Sequence, residues 1–266
     1  MGLLFAILIG ALSGMLAGLI AYPLSRLFKG NKTVLTILMV AGFFTFNTLG
    51  KIYLMPQLQT WSLNRELKSI PAYRLIAEND PETYSEIYSD LKLVAQGKAT
   101  KDEVLKKNKA KIEGLVFKYI PTASDPSVLQ YMKVTVKELR QIYAKDPDKC
   151  MSALFPDKFG FVDVTQYVDS ATQDEDLNAL KDVIESSVKH PQEEPSEEQI
   201  GQIVDALPPE FTKEYGQKME ALNHLDDPKL DKKQTCDLVL TFYEKIFQLP
   251  ETEAGPLLRN LLTQSD

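Results

Sequence analysis

DPSVLQYMKVTVKELRQIYAKDP, residues 125–147, is the stretch on which the fold class turns. Asp125-Pro126 and Asp146-Pro147 each set a capping carboxylate before a proline whose φ already suits a first helical turn, so Pro126–Lys145 is predicted to be one long helix. Asp80-Pro81 repeats the signal upstream. Thr100 with Glu103, Thr172 with Glu175 and Ser196 with Gln199 are spaced as capping boxes. These starts, together with the stops at Gly97, Pro121 and Pro156, predict helices over Pro81–Gln96, Lys101–Ile120, Pro126–Lys145 and Pro147–Phe155. Beyond them, helices are expected at Gln173–Lys189, Glu197–Leu207, Pro209–Asn223, Lys229–Leu249 and near Glu251–Thr263. Leu105, Ile112, Val116 and Tyr119 form a helical stripe in the second of these helices; Leu238, Phe242, Ile246 and Leu249 do so in Lys229–Leu249. Phe159–Val164 is the one short strand candidate, and a single strand makes no sheet. The expected fold class is all-α.

The stretch 190–198, HPQEEPSEE, has two prolines, four glutamates and no apolar side chain, and is read as an acidic linker. It separates a first helical part, 61–189, from a second, 199–266, which is short for a core of its own and is expected to pack on the first.

Residues 1–60 have a different chemistry. They hold four of the 30 basic residues, Arg26, Lys29, Lys32 and Lys51, and no acid, since the first carboxylate is Glu66. That leaves 26 bases against 37 acids in residues 61–266, a net charge of −11. A domain so acidic repels phosphate backbones, which argues against nucleic acid as a partner. Gly2–Leu24 is uncharged, and a second uncharged run starts at Thr33 and extends past Lys51 to Met55, with Tyr53 and Trp61 where aromatic rings favour the headgroup region. Two transmembrane helices, at about 3–24 and 33–55, are therefore expected as a hairpin ahead of the helical domain. Nothing basic precedes the first run, which speaks against a cleaved leader. The positive-inside rule places the Ser25–Lys32 connection, with its three bases, in the cytoplasm, and hence both termini outside. Gly2, Ala6, Gly10, Gly14 and Gly18 recur every four residues and leave a bare face for close helix packing, against the second span or against a partner's helix. Asn47 is a polar group suited to an interhelical hydrogen bond.

Motifs for chemistry are sparse. His190 and His224 are the only histidines and stand in predicted loops without a nucleophile motif. Asp174, Asp176, Asn178, Asp182 and Glu185 match positions of an EF-hand calcium loop, but Ala179 replaces the glycine of its sharp turn, and the same residues fit the solvated side of a continuous helix. Asp226, Asp227 and Asp231 near His224 could be proposed as a metal site, but their DDP turn followed by Lys229, Lys232 and Lys233 favours a solvated helix start. Glu82, Glu86 and Asp90 share a helix face on which an acid–base pair would be possible. Lys98, Lys101, Lys106, Lys107, Lys109 and Lys111 form the one basic cluster of the acidic part, suited to anionic lipid heads or to the outer face of a long helix. Cys150 and Cys236 are either two buried thiols or, in an oxidising compartment, a disulfide contributing about 4–5 kcal/mol by loop entropy. The final leucines, Leu257, Leu258, Leu261 and Leu262, either close the core or reach for a partner.

No cofactor is expected. These features suit a two-pass bacterial inner-membrane protein with its N-terminus and acidic domain on the periplasmic side. Its expected role is that of a membrane-anchored, non-catalytic interaction or scaffold subunit of an envelope complex, in contact with the lipid bilayer and with another membrane or envelope protein, or with itself as a homo-oligomer. The alternatives are a membrane-anchored enzyme with a carboxylate-based site and a cytoplasm-facing membrane adapter.

Overall fold

A computed structural model of the protein describes residues 55–208 and 220–263, together with residues 40, 41, 43–46, 48, 211 and 215. Among these residues the regular structure is helical and no strand is present. The elements are α1 (Met55–Ser69), α2 (Pro71–Asn79), α3 (Pro81–Ala95), α4 (Lys101–Tyr119), α5 (Asp125–Lys145), α6 (Pro147–Leu154), α7 (Pro156–Phe159), α8 (Ser170–Lys189), α9 (Glu197–Ala206), α10 (Lys232–Ile246) and α11 (Glu251–Thr263). Short 3-10 turns lie at Ile120–Thr122, Val164–Gln166 and Glu220–His224. The strand candidate Phe159–Val164 is no strand: Phe159 closes α7, Gly160 turns the chain at φ 86°, and Val164 opens a 3-10 turn.

Most helix starts use the acceptors that the sequence offers. Thr100 and Glu103 make both halves of a capping box, Asp146 accepts from the amides of Asp148 and Lys149, and Ser196 accepts from that of Gln199. Three starts differ from expectation. Thr172 does not cap α8, because its hydroxyl is buried against Gln141 and Asp169; Asp169 accepts from the Thr172 amide at 2.8 Å, and the helix begins at Ser170. Asp125 does not cap α5 either: Ser124 takes that backbone position, and the Asp125 carboxylate turns instead to Arg259. The start of α10 also moves, to Lys232, because Asp231 accepts from the Gln234 amide. The stop of α3 is a Schellman turn, with Lys98 N–H donating to Leu93 O and Gly97 N–H to Val94 O, and Gly97 adopts the required positive φ of 68°.

Two compact units are delineated. The larger comprises Lys68–Asp90 and the described residues from Thr100 onward; the smaller comprises the described residues up to Leu67 together with Leu91–Ala99. In the larger unit α5 is the axis. Val128, Leu129, Met132, Val134, Val136, Leu139 and Ile142 are all buried, more than one stripe's worth, because α6, α8, α10 and α11 pack on different sides of it. Burial on this scale overrides the modest helix propensity of its valines. α2 in turn packs on α8, and α9 on α11. Glu197 and Glu198 of the acidic linker open α9, while residues 190–196 lie outside the helices but are tied down, with Gln192 N–H donating to Thr122 O at 2.8 Å.

Among the described residues no helix is long and apolar enough to cross a membrane. The span expected at 3–24 and the packing positions Gly2, Ala6, Gly10, Gly14, Gly18 and Asn47 lie outside the described residues. Of the span expected at 33–55, residues 40, 41, 43–46, 48 and 55 are described, and all are helical. Val40, Phe43 and Phe44 among them are 50%, 36% and 66% exposed. The helix expected over Pro209–Asn223 also lies largely outside the described residues, although Phe211 and Tyr215 are helical and their rings meet Phe242 of α10 in tilted contacts.

Candidate functional site

The axis helix α5 carries three polar constellations. Near its C-terminal end, Arg140 reaches α10 as a fork: its Nε and Nη2 donate to Glu244 at 2.7 and 2.8 Å, and its Nη1 donates to Asp237 at 2.6 Å. The planar guanidinium matches this bidentate geometry, so the contact orients α10 on α5 as well as attracting it. Beneath it lies an apolar cluster in which Val136, Leu139 and Ile142 of α5 meet Cys150 and Met151 of α6 and Cys236 and Leu240 of α10. Cys150 and Cys236, both fully buried, are joined there as a disulfide across 86 residues, with Cα atoms 6.2 Å apart.

At its N-terminal end, Asp125 meets Arg259 of α11 at 3.0 Å. The Arg259 side chain is 5% exposed, and its Nη1 also donates to the carbonyls of Pro121 and Glu193, at 3.1 and 2.8 Å. One guanidinium thus holds α5, the turn before it, the acidic linker and α11. Burial pushes the Asp125 carboxyl above its usual range, and Arg259 only partly pulls it back. This close approach requires Gly255, since a Cβ there would lie 2.2 Å from the Asp125 Cβ.

The third constellation is the seam between α5 and α8. Gln141 donates to Thr172 Oγ1 at 2.9 Å, Lys137 bridges Glu175 at 2.7 Å, and the Ser124 amide donates to Ser186 Oγ at 3.2 Å, so the two helices run antiparallel. Within this seam Glu138 and Asp176 are half-buried. Burial, and then the charge of Asp176, push the Glu138 carboxyl up to about 8; burial alone pushes Asp176 up to about 6. Tyr131 and Tyr73 are also raised by burial first and Asp176 second. Towards the other end of the seam, Pro126, Ser127 and Gln130 face Asp182, Glu185, Ser186, Lys189 and His190 across an open groove of about 470 Å³. Neither Glu138 nor Asp176 lines it.

The calcium-like set lies on α8, an unbroken helix, so Asp174, Asp176, Asn178, Asp182 and Glu185 do not converge on one point. Asn178 donates to Asp174 O, Asp182 pairs with Lys181, and Glu185 pairs with Lys189. Asp226 pairs with Lys158, Asp227 accepts from the Lys229 amide, and Asp231 caps α10. His190 and His224 are exposed. Among the described residues no group of acidic, histidine or cysteine side chains is arranged to hold a metal.

On α3, Asp90 is buried and accepts from Lys107 at 2.8 Å and Lys111 at 2.6 Å, while Glu86 also reaches Lys111. Burial would raise Asp90, but the two ammonium groups outweigh it and hold the carboxyl below its usual range. The face imagined as an acid–base pair therefore clamps α3 to α4. Four of the six lysines of the basic cluster are engaged in the same way: Lys107 and Lys111 hold Asp90, Lys101 holds Asp163 and Lys109 holds Glu113. Leu257 and Leu258 are buried, with α11 packed on α5, so the last helix closes the core.

Glu138, Arg140 and Arg259 were not singled out from the sequence. Two of them carried a signal: Glu138 lies one turn from buried Val134 and Ile142 on the same face of α5, and Arg259 interrupts the leucines of α11. A charge inside an apolar stripe marks a buried polar role. Comparison with protein-family models, curated proteins and solved structures finds no match.

Proposed function

We propose that the protein is a membrane-anchored, non-catalytic interaction subunit. An N-terminal hairpin at about 3–24 and 33–55 holds it in a bacterial inner membrane, and the acidic helical domain faces the periplasm. The observation that carries this reading is the joining of Cys150 to Cys236 in a fully buried centre, a state that suits an oxidising compartment. It agrees with the three bases of the Ser25–Lys32 connection, which favour the opposite side for that loop. The helical, exposed Val40, Phe43 and Phe44 supply the apolar exterior that a lipid-facing helix needs. A docking rather than a catalytic role is supported by the way the acids are used. Asp90, Asp125 and Asp163 each meet a cation, Asp146, Asp169 and Asp231 cap helices, and the groove beside α8 is lined by neither Glu138 nor Asp176.

On this reading the partner is another envelope protein, or a second copy brought together through the bare face Gly2, Ala6, Gly10, Gly14 and Gly18 and through Asn47. Protease treatment of intact cells and of spheroplasts tests the placement. The domain is expected to survive in intact cells, to be digested in spheroplasts and to remain with the membrane after an alkaline wash. Digestion only after membrane rupture would favour the cytoplasm-facing adapter instead.

A further inference from the structure

We propose that Glu138 and Asp176 form a pH-operated latch in the seam between α5 and α8, closed while at least one of the pair is protonated and loosened when both are ionised. The register of the seam puts them there. Gln141 and Thr172 form one contact layer, with Thr172 fully buried. Glu138 is three residues before Gln141 on α5, and Asp176 is four residues after Thr172 on α8, so in an antiparallel pair both occupy the next turn inward. Val134 and Leu180, one turn further along each helix, are buried and close the layer beyond. Two half-buried carboxylates thus sit between a buried threonine and an apolar layer.

The groups that surround this turn do not neutralise it. On α5 and α8 the nearest cations are committed, Lys137 to Glu175 and Lys181 to Asp182 and Glu185. α2 packs on α8 and contributes Tyr73, while its Arg74 and Glu78 are exposed. α4, also packed on α8, has Lys107 and Lys111 on Asp90, Lys118 on Asp80 and Lys109 on Glu113. α10 brings Asp237 and Glu244, which are held by Arg140; α11 brings Arg259, which is held at Asp125. α6 brings the uncharged Cys150 and Met151. Neither Glu138 nor Asp176 makes an ion pair with any described residue. Tyr131, two turns before Glu138 on α5, is itself kept neutral by burial and by these carboxylates.

The sign follows from linkage. In the folded protein both carboxyls lose their protons later than in the unfolded chain, Asp176 near 6 and Glu138 near 8. Their contribution to stability is therefore complete below the ordinary carboxylate range and is lost as pH rises through those values. Asp176 ionises first, so the seam stays closed until Glu138 loses its proton and loosens as pH rises through about 8; α8, and α2 carried on it, then change their hold on α5.

The test uses the full chain in lipid nanodiscs, with melting temperature measured from pH 5 to 9 and amide protection factors compared at the two ends. The wild type is expected to lose about 5 °C or more over this range, with protection lost selectively in 131–142 of α5 and 172–183 of α8. Glu138→Gln mimics the protonated side chain and is expected to hold the curve flat to within about 2 °C. Asp176→Asn, from the other wall of the seam, should flatten it too, so the test does not depend on one variant folding. A wild-type curve that both substitutions leave unchanged overturns the proposal, as does a loss of protection centred on helices other than α5 and α8.

Discussion

Gly255 and Arg259 show how narrowly single residues are specified. Gly255→Ala would drive a Cβ into the Asp125 side chain, and is expected to cost about 1–3 kcal/mol as an overpacked contact. Gly201, inside α9, faces open space, so Gly201→Ala is expected to stabilise by about 0.5–1 kcal/mol through helix propensity. Chemical denaturation of both variants beside the parent tests the pair, and equal effects would refute the close approach. Arg259→Leu leaves the half-buried Asp125 carboxylate without its cation and frees the linker carbonyl at Glu193, with an expected loss of about 2–3 kcal/mol. Limited proteolysis should then cut within 190–196, and adding Asp125→Asn should recover part of the loss. None of this coupling is visible in the sequence, because the two partners stand 134 positions apart, Asp125 to Arg259, and only the packing of α11 on α5 brings them together.

Helix starts and stops were the most legible part of the chain, for a physical reason: caps, prolines and positive-φ glycines act on their immediate neighbours. Thr100, Asp146, Ser196 and Gly97 behave as their local sequence dictates. Thr172 and Asp125 fail as caps because a tertiary partner, Gln141 or Arg259, claims the side chain first. The candidate sites were far less legible, since ion pairing across helices decides whether an acid is free to act. Asp90 is the example: as one of three acids on a helix face it resembled an acid–base site, yet Lys107 and Lys111 make it a clamp between α3 and α4. Its lowered pKa means that the clamp's contribution is present above the ordinary carboxylate range and lost as pH falls through the folded value. Asp90→Asn should therefore destabilise at neutral pH and remove part of the acid-side loss of stability, measured as a shallower fall in melting temperature below pH 5. The disulfide is a longer-range staple, linking α6 to α10. Replacing both Cys150 and Cys236 by alanine is expected to cost about 2–5 kcal/mol in a denaturant titration. Because both cysteines are fully buried, reductant added to the native protein should leave the bond intact until the domain opens.

Across the whole chain, charge and apolarity are segregated: residues 1–60 have bases and no acid, while residues 61–266 have a net charge of −11. That division, together with two uncharged runs, is what the proposed membrane hairpin with its acidic domain rests on. An acidic surface of this kind steers basic partners towards it and repels anionic ones, so association with the envelope partner proposed above should weaken as salt is raised. The domain's interior is consistent with a rigid presenting body, with α5 held by a bidentate arginine at one end, a buried ion pair at the other and a disulfide beneath. What most directly tests this arrangement is the side of the membrane on which the domain stands. A reporter that becomes active only outside the cytoplasm, fused after Asp266 in the full chain, is expected to be active. An inactive reporter, with the fusion stably present in the membrane, would contradict the periplasmic placement and assign the acidic domain to the cytoplasmic face.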